Sequence, residues 1–436
     1  VKRVFANMGW LLGGRGVNAV LSLVYLAIAA RTLGTVGFGH FALIVALGQA
    51  ITGLANFQTW QFIVRWGASG DGGSVDRVKA REATGFAVAL DFISVALGIV
   101  LAGVVIISAP YWLDVPREML WLAFGYCAVS LAAIRTTPTG ILRLHFEYGR
   151  AAAAEAVQPV VRTVGAVLAL AFMPNVTGFV LAYAASEIAV AVTLWAVAMR
   201  VQPVSWGAVS LKTIPARHSD AWRFVVSTNL SGSLSVAGKQ VMILLVGTFG
   251  GAALAGGFRV ASQLGQALVS LAQTVSKAIL PELVHSRDRS LTIARRMANI
   301  AAVGGVIAVV TALAFGRIGL ELIAGPAFGV FYWAMVILAI AGAVELVGAS
   351  LESLLVSAGK AHISFIVRAV PTVLALLLLE AAIDWNGAKG AAFALLGSSS
   401  LAVIGFYVAI LNLSQIRLVV EDEEEATRPE PPSTPA

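Results

Sequence analysis

Long apolar stretches separated by short polar turns recur from one end of the chain to the other. Twelve runs are each long enough to cross a hydrocarbon core of roughly 30 Å, which takes about 20 helical residues. They cover residues 8–30, 39–64, 83–107, 119–137, 151–172, 176–198, 222–248, 252–280, 297–315, 328–357, 363–383 and 390–413. Several exceed 25 residues, which predicts tilt or ends that leave the bilayer. Their length, and the lack of a period of two, predicts helices rather than a barrel.

Within this pattern one segment is written twice. Residues 47–56 read LGQAITGLAN and residues 264–273 read LGQALVSLAQ, an offset of 217 positions. The copies lie six runs apart, and an even step preserves direction across the membrane, so the halves are expected to be parallel repeats. The expected fold is therefore an all-α integral membrane protein: twelve transmembrane helices in two parallel six-helix lobes. The lobes fall at 1–198 and 222–413, joined by a cytoplasmic connection at 199–221. Residues 414–436, VVEDEEEATRPEPPSTPA in their greater part, are acidic and then proline-rich and read as a disordered tail.

Polar residues inside the runs keep helical spacing. Gln49, Thr52, Asn56 and Thr59 recur on one face of the second run. Arg259, Ser262, Gln266, Ser270, Gln273 and Lys277 do so on the eighth. Helix packing accounts for Gln49 and Thr52 on their own. The longer stripe, with Arg259 well inside the membrane, predicts a wet cavity. Arg15, Asn18, Ser22 and Tyr25 share a face of the first run, and Thr228, Ser231, Ser235 and Lys239 roughly share one on the seventh.

Composition supports a lipid-solvated chain: 58% of residues are apolar and 12% charged, with a mean hydropathy of +0.86. A soluble domain carries about 25% charged residues. Each charge within a run therefore needs a reason, since a charge at the bilayer centre costs about 2.5–3.5 kcal/mol on insertion scales. The deep bases are Arg15, Arg162, Lys239 and Arg259; the deep acids are Asp91, Glu187, Glu345 and Glu352. Arg15, Lys239 and Arg259 lie beside polar residues and are the candidates to grip an anion. The planar arginine fork suits phosphate in particular. Asn18, Ser22, Gln49, Asn56, Ser235, Gln266 and Gln273 are the expected polar lining. Asp91, Glu187, Glu345 and Glu352 would carry a coupling ion or balance the bases, and an internal salt bridge fits Arg162 and Glu187 equally well.

Charge also sets direction. One set of connections and both termini hold 22 of the 30 basic residues, from Lys2 and Arg3 through Lys360 and Arg368 to Arg428; the other side holds Arg31, Arg117, Arg317 and Lys389. The rich side is expected to be cytoplasmic, with both termini on it. The pI of about 9.7 thus reflects topology and anionic head groups and does not point to nucleic acid. Connections on the other side run to at most about a dozen residues, too short for an ordered catalytic domain. Lys2 and Arg3 before an apolar run ending AIA resemble a signal peptide, but Arg15 interrupts the run and eleven more follow, so a retained first helix is expected. One cysteine, Cys127, and five scattered histidines give no metal-ligand spacing, and no metal or cofactor is expected.

Four segments carry a family likeness: ARTLGTVGFGHFALIVAL at 30–47, ILLVGTFGGAALAGGFRVASQL at 243–264, AILPELV at 278–284 and LELIAGPAFGVFYWAMVILA at 320–339. With them the chain resembles the polysaccharide flippases of the Wzx type, in the multidrug/oligosaccharidyl-lipid/polysaccharide exporter superfamily. The resemblance implies two lobes around a cationic central cavity that opens alternately to each side. It implies an undecaprenyl-diphosphate-linked oligosaccharide as substrate, membrane lipids and polysaccharide polymerase machinery as partners, an inner-membrane location, and no catalysis. Phe41 and Phe258 stand where many relatives have tyrosine, and Gln240 stands near where many carry an acid. The rival readings are a cation-coupled multidrug exporter of the same superfamily, which needs acids in excess of bases, and a membrane polysaccharide polymerase or ligase, which the short connections disfavour.

Overall fold

The computed structural model of the chain describes residues 2–68, 75–283, 290–357 and 361–426. Side chains are described along these segments except at 2–17, 19, 227–228, 230–237, 271–283, 290–298, 300, 353–354, 356–357, 361 and 412–426. The side chains of Arg15, Ser235 and Gln273 lie outside the described residues, as do those of the whole tail; the backbone of 414–426 continues the last helix, where the sequence reads as a disordered tail.

Helices account for nearly all of the described residues, and no strand forms among them. In chain order they are α1 (Lys2–Ala55), α2 (Thr59–Gly67), α3 (Arg77–Ser108), α4 (Leu120–Ala132), α5 (Thr136–Leu144), α6 (Tyr148–Glu155), α7 (Val157–Phe172), α8 (Val176–Val201), α9 (Thr213–Arg217), α10 (Ala221–Leu283), α11 (Ser290–Ala324), α12 (Tyr332–Ser357), α13 (Ala361–Leu377) and α14 (Leu379–Ala426). Among the described residues nine helical stretches are long and apolar enough to cross a membrane, and the shorter His362–Leu377 is a tenth apolar helix. The fold is all-α and built for a bilayer. Helices satisfy their own backbone groups, which lipid cannot do. The apolar side chains left outside, such as Val100, Ile107, Val192 and Leu377, face outward where lipid would cover them.

Two of the long helices each hold two of the apolar runs, joined at a single glycine. Gly34 (φ 64°, ψ −173°) breaks α1 and Gly251 (φ 79°, ψ 170°) breaks α10. This backbone region is open essentially to glycine alone. At Gly34 the chain doubles back within one residue, so the rings of Tyr25 and Phe41 meet at 6.2 Å although 16 positions apart. α14 breaks in the same manner at Asn386 and Gly387. The two glycines are themselves 217 positions apart, the offset of the sequence repeat. So are the short 3-10 turns that begin at Ala109 and Pro326.

Packing follows the repeat. α1 lies against α3, α4, α7 and α8, whereas α10 lies against α11, α12, α13 and α14. The largest contact between the two sets is α1 on α10. Gly39 and Gly256, again 217 apart, let the backbones touch there. A Cβ on Gly39 would fall 1.9 Å from the Ala252 carbonyl oxygen, and one on Gly256 would fall 2.9 Å from Gly39 Cα. Small residues at such crossings are what allow close helix contact in lipid. Phe38 and Phe328 seal the same region edge to face at 6.1 Å. Asp114 accepts a hydrogen bond from the Ala252 backbone N–H (2.7 Å), and Arg31 donates to the carbonyls of Leu322 and Ile323 at the end of α11.

Candidate functional site

Polar residues that sequence places on separate helices converge in one cavity of about 560 Å³ among α10, α12, α13 and α14. α10 enters it twice, once on each side of Gly251. Lys239, Gln240 and Met242 come from before the turn, and Phe258, Arg259, Ser262 and Gln266 from after it. The last three follow a spacing of three or four, one face of a helix. α12 contributes Glu345 and Glu352, seven apart and so on a common face. α13 contributes Ser364, Arg368 and Thr372, each four residues from the next.

Charge in this cavity is organised around Arg368. Its guanidinium pairs with Glu352 at 2.7 Å and with Glu345 at 3.5 Å, and Ser364 donates to Glu352 at 3.0 Å. Among the described residues neither Lys239 nor Arg259 has an ion-pair partner; Arg259 donates one hydrogen bond to the Ala42 carbonyl at 3.2 Å. Three bases against two acids leave the lining with one net positive charge. Two polar atoms in it, Gln240 Oε1 and Arg368 Nε, are buried with no partner among the described residues. Unpaired buried polar groups cost free energy until something bonds to them. The arrangement offers donors and positive charge to an anionic, hydrogen-bonding guest.

Of the sequence candidates, Lys239, Arg259, Gln266, Glu345 and Glu352 are brought together here. The others with described side chains are not. Gln49 donates to the Tyr183 hydroxyl at 3.0 Å, and Asn56 accepts from Thr136 at 3.4 Å. Asn18 and Ser22 are half-buried on α1 and do not reach the lining. Asp91 is held by Thr59 and Thr137. Glu187 is shared by Arg135 and by Arg162 (3.5 Å) and accepts from Gln158 at 2.9 Å, and Arg162 lies over the Tyr183 ring at 3.8 Å. Arg162 and Glu187 thus form a salt bridge, the structural alternative given for them above. Helix spacing alone could not separate these faces, because an inward face looks the same whether it meets a cavity or another helix.

Arg368 is the correction. Sequence assigned it to a basic connection, counting it toward orientation, yet it sits on α13 at the centre of the cavity. The signal was present: Ser364, Arg368 and Thr372 repeat at intervals of four within an apolar run.

Comparison with known proteins bears on the fold and the family. The inner membrane protein YghQ of Escherichia coli (strain K12) is 29% identical over 335 residues, which cover 76% of this chain and 94% of that one. Among solved structures, the lipid II flippase MurJ in an inward closed conformation superposes with a TM-score of 0.67 at 12% identity, covering 92% of this chain and 87% of its own. An inward-facing multidrug resistance transporter of the MATE family, in the MOP superfamily, gives a TM-score of 0.65 at 17% identity, with 92% and 95% covered. These two share the fold. The family described as "Polysaccharide biosynthesis protein" matches residues 4–286, well over half of the chain, and the chain belongs to that family.

Proposed function

We propose that the protein moves a lipid-linked oligosaccharide across the inner membrane by alternating access, with the diphosphate of the lipid carrier held in the cavity. The observation that carries this reading is the net positive cavity of Lys239, Arg259 and Arg368 set inside membrane-spanning helices. A diphosphate meets three donors-only side chains there, two of them with no carboxylate to displace among the described residues. The polyprenyl tail would stay in lipid while the sugars occupy the polar space. Two six-helix lobes, residues 1–198 and 222–413, would rock about the α1–α10 contact, which changes the side from which the cavity is reached. Positive-inside counting puts both termini in the cytoplasm. Polymerase machinery is the expected recipient of the product.

The test is translocation by the purified full chain in liposomes, with a fluorescent undecaprenyl-diphosphate-linked oligosaccharide on one leaflet. Protein-dependent transfer that Arg259→Ala reduces at least tenfold supports the reading. Cation-driven export of a hydrophobic amine, with no lipid transfer, would instead support a drug exporter. That outcome is disfavoured by the cavity's charge, because a cationic drug needs acids in excess.

A further inference from the structure

The one buried aspartate among the described residues is Asp91, 3% exposed, at the middle of α3 and remote from the cavity. Thr59 of α2 and Thr137 of α5 enclose it, both wholly buried. Three oxygen–oxygen contacts close a ring. Thr59 Oγ1 lies 3.2 Å from Asp91 Oδ1, Thr59 Oγ1 lies 3.0 Å from Thr137 Oγ1, and Thr137 Oγ1 meets Asp91 Oδ2 in a short hydrogen bond.

Each such contact needs one proton, and a threonine hydroxyl supplies only one. Two threonines therefore serve two contacts. With an ionised Asp91, both hydroxyls would donate to the carboxylate, and the two threonine oxygens would face each other with no proton between them. A proton on Asp91 completes the count. Asp91 then donates to Thr59, Thr59 to Thr137, and Thr137 back to the other carboxyl oxygen.

Among the described residues no basic side chain pairs with Asp91. On the elements packed around Asp91, Arg65 of α2 pairs with Asp220, Arg143 of α5 lies over the Trp60 ring, and Arg135 before α5 pairs with Glu187. On α3 itself Lys79 pairs with Asp76, Arg81 donates to Ser205, Glu82 pairs with Arg217 of α9, and Arg77 is exposed at the first turn. α4 brings only Tyr126 and Cys127 as titratable groups, and the 3-10 turn at 109–111 only Tyr111. An isolated carboxylate so placed would be severely penalised by the apolar surroundings.

We infer that Asp91 is a proton-binding site whose occupied state clasps the corner between α1 and α2 onto α3 and α5. The clasp extends one turn along α3, where Ser94 donates to the Ala55 carbonyl at the end of α1 at 2.6 Å, and across to Thr136, which donates to Asn56. Losing the proton leaves a charge that demands water, so α2 and α5 must part from α3 to admit it. α1 is the helix that meets α10, and the clasp therefore bears on the contact between the halves. This inference stands whatever the transported molecule is.

Infrared spectroscopy of the full chain in detergent, isotope-labelled at its eight aspartates, tests it. At neutral pH the native chain should show a protonated-carboxyl band that sodium leaves unchanged and Asp91→Asn removes. The asparagine amide can donate to Thr59 and accept from Thr137, so this variant should fold. Its melting temperature should be flat with pH, while that of the native chain falls as alkali strips the proton. If the variant does not fold, the labelled native spectrum decides alone. Absence of the band at neutral pH, or its loss on adding sodium, overturns the assignment; the second result would make the ring a cation site.

Discussion

At the scale of single residues, two charged clusters with opposite balance occupy the two halves. Glu187 is shared by Arg135 and Arg162, whereas Arg368 is shared by Glu345 and Glu352. The first is packed: Glu187 is 2% exposed and Arg162 is sandwiched against Tyr183. Removing the acid leaves two partly buried guanidinium groups uncompensated, so Glu187→Gln should cost up to roughly 3 kcal/mol, read as a lower unfolding temperature in detergent. The second cluster lines open space, and its residues should be felt in function before stability. Arg259→Lys keeps the charge but loses the planar fork, and transfer should fall less than with Arg259→Ala; equal loss in both would assign Arg259 a geometric role. Sequence showed which charges were improbable in a membrane, and four of them, Lys239, Arg259, Glu345 and Glu352, do meet in the cavity. It could not show which acid meets which base, since ion pairs such as Arg135–Glu187 join helices far apart in the chain. It also misplaced Arg368, because a base near the end of an apolar run looks like a connection until the helix is seen to continue past it.

At the scale of elements, the apolar pattern located the helical runs well and their joints poorly. Residues 8–30 and 39–64 read as two spans, and the chain does reverse between them, but through a single residue, Gly34, rather than a loop. A turn this short leaves no polar signature beyond a glycine in a glycine-rich stretch. The repeat at 217 positions was legible in ten residues, and the structure carries the same offset into backbone conformation at Gly34 and Gly251. Alanine at either glycine should cost about 1–3 kcal/mol, because the required conformation is closed to a Cβ. A larger residue at Gly39 has a different expected effect. Gly39→Val should push α1 from α10, and spin-label distances across that contact should lengthen while helix content is retained.

At the scale of the whole molecule, the halves meet in two places: one set joins Gly39 to Gly256, Phe38 to Phe328, Asp114 to the Ala252 N–H and Arg31 to the last carbonyls of α11, and a second joins the start of α10 to α2 and α3, where Phe62 and Trp66 meet Phe224 and Phe86 meets Trp222. By the distribution of basic residues the first set is expected at the periplasmic end, where it would close the molecule. Asp114→Ala together with Arg31→Ala should weaken the closure and raise cavity access from the periplasmic side. The lone cysteine, Cys127, is fully buried, so a Cys127→Ser background lets a cysteine placed at Gln266 report that access by alkylation from either side. The most direct measurement is the transfer of a labelled undecaprenyl-diphosphate-linked oligosaccharide between leaflets of liposomes holding the purified chain, with native protein beside Arg259→Ala and Lys239→Met. Transfer by the native chain, lost in both variants at equal protein insertion, is the expected result. Undiminished transfer in both variants, or none by a folded native chain, would contradict a phosphate-gripping cavity.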